Sequence, residues 1–145
     1  MGDLEKCTSA IPLGGNRFAD KSGTPDVMGV FRFSEADPLK PLPEIVSVEV
    51  KTDTSQLITA FGQARAYKLF CHKVYLVIPQ YVEDIGRIES LRLRFGIGLV
   101  IFDSQDSSNP NYKIRRGAIK SEPDCFYLNQ HIRKLPDADI KKLFR

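Results

Sequence analysis

Two unbroken apolar runs, VYLVI over Val74–Ile78 and LVIF over Leu99–Phe102, limit this chain more than anything else in it. Runs this short fit strands better than helices, and strands apolar at every position are those covered on both faces. Between them, residues 82–95 carry a helical pattern that ends at Gly96, placed as a helix-terminating glycine. Ile45–Lys51 (IVSVEVK) alternates apolar and polar residues and predicts a third strand, and VMGVFRF over Val27–Phe33 predicts a fourth. Thr52-Asp53-Thr54-Ser55 offers cap chemistry for a helix from about Ser55 to Cys71, with Leu57, Phe61 and Ala64 on its core face. The order strand, strand, helix, strand, helix, strand predicts an α/β fold: a central mixed β-sheet flanked by α-helices.

Around this core the pattern weakens. Residues 1–24 read as mostly irregular, and Ser34–Glu44, with Pro38, Pro41 and Pro43, as a connection without regular structure. Beyond Asp103 we expect a loop over Ser104–Asn111, a strand within Tyr112–Ile119 and a short helix over Phe126–Lys134, stopped before Pro136. Phe126, Tyr127, Ile132 and Leu135 are expected in the core, and Asp139-Ile140-Lys141 in a solvated polar helix. At 145 residues the expectation is a single domain over 1–145, its core at about 24–103 and residues 104–145 a C-terminal extension packing on or beside it.

No apolar stretch approaches membrane-spanning length, and the N-terminus lacks a signal-peptide core. Cys7, Cys71 and Cys125 include no CxxC pair and lie far from His72 and His131, which argues against a zinc site and for reduced thiols. A cytoplasmic, intracellular protein is expected. A net charge of +3 tolerates a polyanionic partner without requiring one. Lys113, Arg115, Arg116 and Lys120 gather in one short run that could hold backbone phosphates or simply face water. Four such contacts would give a log–log salt slope of about −3.6.

The chemistry concentrates at the end of the alternating strand. Glu49 and Lys51 are two apart and leave one face, whereas Val48 and Val50 leave the other. Folding Val27–Phe33 back as a hairpin, with Phe33 near Ile45, makes paired residue numbers sum to about 78. Gly29 would then face Glu49, and Asp26 would fall just beyond Lys51 at the same end of the sheet. Hard oxygens from two carboxylates suit magnesium or manganese, and an ammonium beside them offsets their repulsion and can meet a water or a phosphate oxygen. The triplet alone is weak: about one (D/E)xK is expected by chance in this composition, and Asp139-Ile140-Lys141 is a second one with no role assigned.

Pro25-Asp26, then Glu49-Val50-Lys51, then Gln63-Ala64-Arg65-Ala66-Tyr67 on the following helix resemble the PD-(D/E)xK nuclease superfamily, over about residues 24–103. The resemblance implies the restriction-endonuclease-like fold and hydrolysis of phosphodiester bonds in nucleic acid, DNA above RNA. It implies Asp26, Glu49 and the Val50 carbonyl as ligands of Mg²⁺ or Mn²⁺, and Lys51 as the group that assists the attacking water. Gln63 and Tyr67 match the family's Q-x-x-x-Y element and share a helix face, from which an amide and a phenol can position the lysine or a phosphate. Restriction and junction-resolving members often act as homodimers. This chain departs from the pattern before Pro25, where members usually carry a full helix with another acidic residue. One metal is therefore expected, with two-metal catalysis open. The competing expectation is a module of the same fold that binds nucleic acid or assembles without cutting.

Overall fold

A computed structural model describes residues 9–13, 24–34, 36–39, 42–52, 57–80, 85–103, 108 and 111–144. Among the described residues six strands form one mixed sheet in sequence order: β1 (Ser9–Pro12), β2 (Val27–Phe31), β3 (Glu44–Val50), β4 (Lys73–Pro79), β5 (Gly98–Phe102) and β6 (Lys113–Arg116). Pairing is antiparallel from β1 to β3, parallel from β3 through β4 to β5, and antiparallel again from β5 to β6. Among the described residues four helices flank the sheet: α1 (Leu57–Tyr67), α2 (Ile85–Phe95), α3 (Cys125–Ile132) and α4 (Asp137–Phe144). No helix among the described residues is long and apolar enough to cross a membrane.

The two parallel crossovers explain the layering. β3-α1-β4 and β4-α2-β5 step in one direction across the sheet, so crossovers of one hand put both helices on the same face. Leu57, Ala60, Phe61, Ala64 and Tyr67 of α1 and Ile88 of α2 bury there against Met28, Val30, Ile45, Leu76, Ile78 and Leu99. Leu128 of α3 and Leu143 of α4 join the same cluster. The opposite face carries a second cluster: Val46, Val48, Tyr75, Val77 and Val100. Both faces of β4 are thus buried, which is why VYLVI has no polar residue: exposing any one of these side chains would forfeit about 1.5–3 kcal/mol.

Two glycines are required by their surroundings. Gly96 sits at φ +70° and donates its N–H to the Arg92 carbonyl at 2.7 Å, closing α2 as the sequence predicts. Gly98 faces Tyr75 across the β4–β5 ladder, where a Cβ would collide with the Tyr75 ring. Each later element is also anchored. Asp124 caps α3, its Oδ1 accepting from the N–H groups of Phe126 and Tyr127 at 2.9 and 3.3 Å.

Several expectations need correction. Residues 9–12 form β1 within the segment read as irregular; SAIP has little strand propensity of its own, and pairing with β2 supplies what propensity lacks. Strand β2 stops at Phe31, and Phe33 is exposed. The hairpin register sums to 75, with Val27 opposite Val48 and Gly29 opposite Val46, instead of 78 with Gly29 opposite Glu49. Because neighbours on adjacent strands share a face, that odd offset of three matters: a sum of 78 would have turned Asp26 away from Glu49. Phe126 and Tyr127 are exposed rather than core, whereas Leu135 is buried. The helix around Asp139-Ile140-Lys141 is amphipathic: α4 buries Leu143 completely, and the Leu143 carbonyl accepts from Ser9 Oγ at 3.0 Å on edge strand β1. The cap residues Asp53, Thr54 and Ser55 and most of the Ser104–Asn111 loop lie outside the described residues.

Candidate active site

The carboxyl end of β3 is where the polar side chains meet. Ile45, Ser47 and Glu49 all point to the helix-bearing face, so Glu49 enters the layer between sheet and α1. It is only 4 % exposed. Tyr67, at the last turn of α1 and fully buried, donates its hydroxyl to Glu49 Oε2 at 2.8 Å, with the Thr24 carbonyl a second acceptor at 3.2 Å. Lys51 reaches back so that Nζ lies 3.4 Å from Glu49 Oε1. Both oxygens of Glu49 are therefore held, one by a phenol and one by an ammonium.

Asp26 arrives from the neighbouring strand. Its N–H donates to the Val48 carbonyl at 3.0 Å and its carbonyl accepts from Leu13 at 2.8 Å, so its backbone is fixed on both sides. Extending the β2–β3 register by one residue sets Asp26 across from Glu49, on the same face. Its Oδ2 accepts from the Val50 N–H at 2.7 Å. Glu49 is buried and Asp26 exposed, so one carboxyl lies inside the layer and the other at its surface.

Burial holds the Glu49 carboxyl above the usual carboxylate range. The Tyr67 hydrogen bond works against that rise, the Asp26 charge adds to it, and Lys51 works against it again. Burial and the neighbouring Glu49 likewise hold the Tyr67 phenol far above its ordinary value, so it acts only as a hydrogen-bond donor and never as a base.

The candidates separate by position. Asp26, Glu49, Lys51 and Tyr67 come together, with Val50 between the two triplet residues. Gln63 sits one turn before Tyr67 on α1, and its Oε1 is buried without a hydrogen-bond partner. The Tyr67 hydroxyl meets Glu49 rather than the lysine. Lys113, Arg115 and Arg116 lie on β6, three strands from β3 and thus about 14 Å away at roughly 4.8 Å per strand. Arg115 pairs with Glu89, and Lys120 pairs with Glu44 at 3.0 Å. The Thr24 carbonyl, which helps seat Tyr67, had no signal in the sequence, because a backbone acceptor leaves no mark on residue type.

The residues fit a hard divalent cation on chemical grounds. They offer carboxylate oxygens, a nearby backbone carbonyl at Val50 and an orphaned amide oxygen at Gln63, and no soft ligand. Among the described residues no group of three or more His, Cys, Asp or Glu side chains gathers at one place. No family model, curated protein or solved structure matches this chain.

Proposed function

We propose that this chain is a divalent-metal-dependent nuclease of the restriction-endonuclease-like kind, acting on nucleic acid, DNA by preference. The observation that carries the reading is the meeting of Asp26 and Glu49 on one sheet face with Lys51 Nζ 3.4 Å from the buried carboxylate. Burying a carboxylate costs several kcal/mol unless something compensates it. One phenol hydrogen bond and one partly exposed lysine are a modest return for that cost in a structural role. A cation and a substrate phosphate at the two carboxylates would account for it.

Asp26, Glu49 and the Val50 carbonyl would hold Mg²⁺ or Mn²⁺. Such an ion, when bound, would supply charge neutralisation at the phosphoryl group and activation of water near neutral pH. The chain's own residues do the rest. Tyr67 fixes the Glu49 rotamer through Oε2. The Val50 N–H fixes Asp26 through Oδ2. Lys51 holds its ammonium beside Glu49, where it can orient a water or contact a non-bridging phosphate oxygen. Gln63 carries an unmet acceptor that fits a water or a substrate donor. The reduced thiols Cys71 and Cys125 accord with an intracellular setting.

The test is cleavage of single-stranded, duplex, flap and junction substrates with manganese. The reading expects metal-dependent cutting, reduced at least about a hundredfold in Lys51→Ala. Metal-independent binding without cutting would instead identify a silent binding module. A homodimer would show as a doubled mass in sedimentation.

A further inference from the structure

At the opposite end of the parallel strands lies a cavity of about 250 Å³. It opens beside the first residues of β3 and β4, four residues from Glu49 along β3 and so about 13 Å away. Ile45, Leu128, Ile132 and Phe144 give it apolar walls from β3, α3 and α4. Its polar lining is sparse, chiefly His72, Glu122 and Asn129.

His72 is the informative residue. Its Nδ1 accepts from the Ile45 N–H at 3.0 Å, while its own N–H donates to the Ile45 carbonyl at 2.9 Å. A ring nitrogen that accepts a backbone N–H carries no proton, so in the neutral ring the proton resides on Nε2. Burial favours that neutral ring, with Glu122 and Glu44 opposing and Lys120 assisting. Nε2–H therefore is a fixed donor, in a side chain only 7 % exposed. His72 belongs to the cavity lining, and mostly apolar cavities with a few placed polar groups are the usual form of a small-molecule site.

We propose that this cavity binds a small uncharged molecule joining an apolar ring or branched chain to a carbonyl, which accepts from His72 Nε2–H. The volume admits one ring with a short substituent. Among the described lining residues the charged one is Glu122, so a carboxylate in place of the neutral carbonyl is repelled. A carboxamide adds a donor that Glu122 or Asn129 can receive. The site is separate from the nuclease site and does not depend on that reading.

The probe is benzamide, with toluene and benzoate as comparisons, followed through the imidazole ¹⁵N signals of the intact chain. His131, stacked on Phe70 away from the cavity lining, serves as internal control. Benzamide is expected to shift the His72 Nε2 signal saturably and leave His131 unmoved. Toluene and benzoate should bind about tenfold more weakly, for want of the hydrogen bond or through repulsion. Leu128→Trp fills the cavity and should abolish the shift. No His72 shift with benzamide, equal binding of all three compounds, or an undiminished shift in a folded Leu128→Trp protein would each overturn the proposal. Should Leu128→Trp not fold, the comparison of the three probes on the unaltered chain decides alone.

Discussion

Glu49 carries the largest strain between stability and function. Its carboxyl is raised by burial, so its charged form is disfavoured in the folded state relative to the unfolded one. The sign follows: below the unfolded value both states are protonated and no penalty exists; the penalty grows as pH rises from the unfolded to the folded value and is constant above it. Glu49→Gln should therefore raise the melting temperature of the metal-free protein at neutral pH, by roughly 3 °C if about 1 kcal/mol is recovered, while abolishing cleavage. Scanning calorimetry at pH 4 and pH 7.5 checks this, since the gain should shrink at the lower pH. Tyr67→Phe has the opposite logic. Losing the hydroxyl removes a bond that favours ionised Glu49, so the acidic limb of the pH–rate profile should move to higher pH. Activity should drop about tenfold, the worth of one hydrogen bond to a charged group. An unmoved acidic limb would show that Tyr67 is a packing residue only.

At the scale of elements, Gly98 gives a clean expectation. A methyl group there meets the Tyr75 ring and the Ala118 backbone, so Gly98→Ala should destabilise the fold by about 1–3 kcal/mol in urea titrations. Combining it with Tyr75→Val should recover part of the loss. The same elements show why the sequence was legible only in places. VYLVI and LVIF announced β4 and β5 because burial on both faces leaves no room for polar residues. Glu49 and Lys51 could be placed on one face because strand periodicity is fixed at two. Strand β1 was invisible, because its pairing comes from β2 and not from SAIP itself. The alternation in VMGVFRF does not mark where β2 ends, so the sequence pattern leaves the hairpin register open. Phe126 and Tyr127 looked like core residues since aromaticity signals burial on average, but α3 turns both outward. Thr24 and His72 act through backbone partners, which composition and spacing do not encode.

For the molecule as a whole, the proposed function would have the substrate reach from the carboxyl ends of the parallel strands toward the basic edge strand β6. With Arg115 paired to Glu89 and Lys120 to Glu44, Lys113 and Arg116 remain as phosphate contacts, and the salt slope should fall to about −1.8 rather than −3.6. Binding isotherms between 50 and 200 mM salt, read on a catalytically dead variant, distinguish the two. Divalent cations should also stabilise the fold by binding the native state alone. At a concentration a hundred times the dissociation constant the gain is about 2.7 kcal/mol, and it should vanish in Asp26→Asn. The most direct measurement is anomalous diffraction from crystals soaked in manganese. The account predicts a peak in contact with the carboxylates of both Asp26 and Glu49. A crystal that takes up manganese elsewhere while leaving that pair without a peak would contradict it.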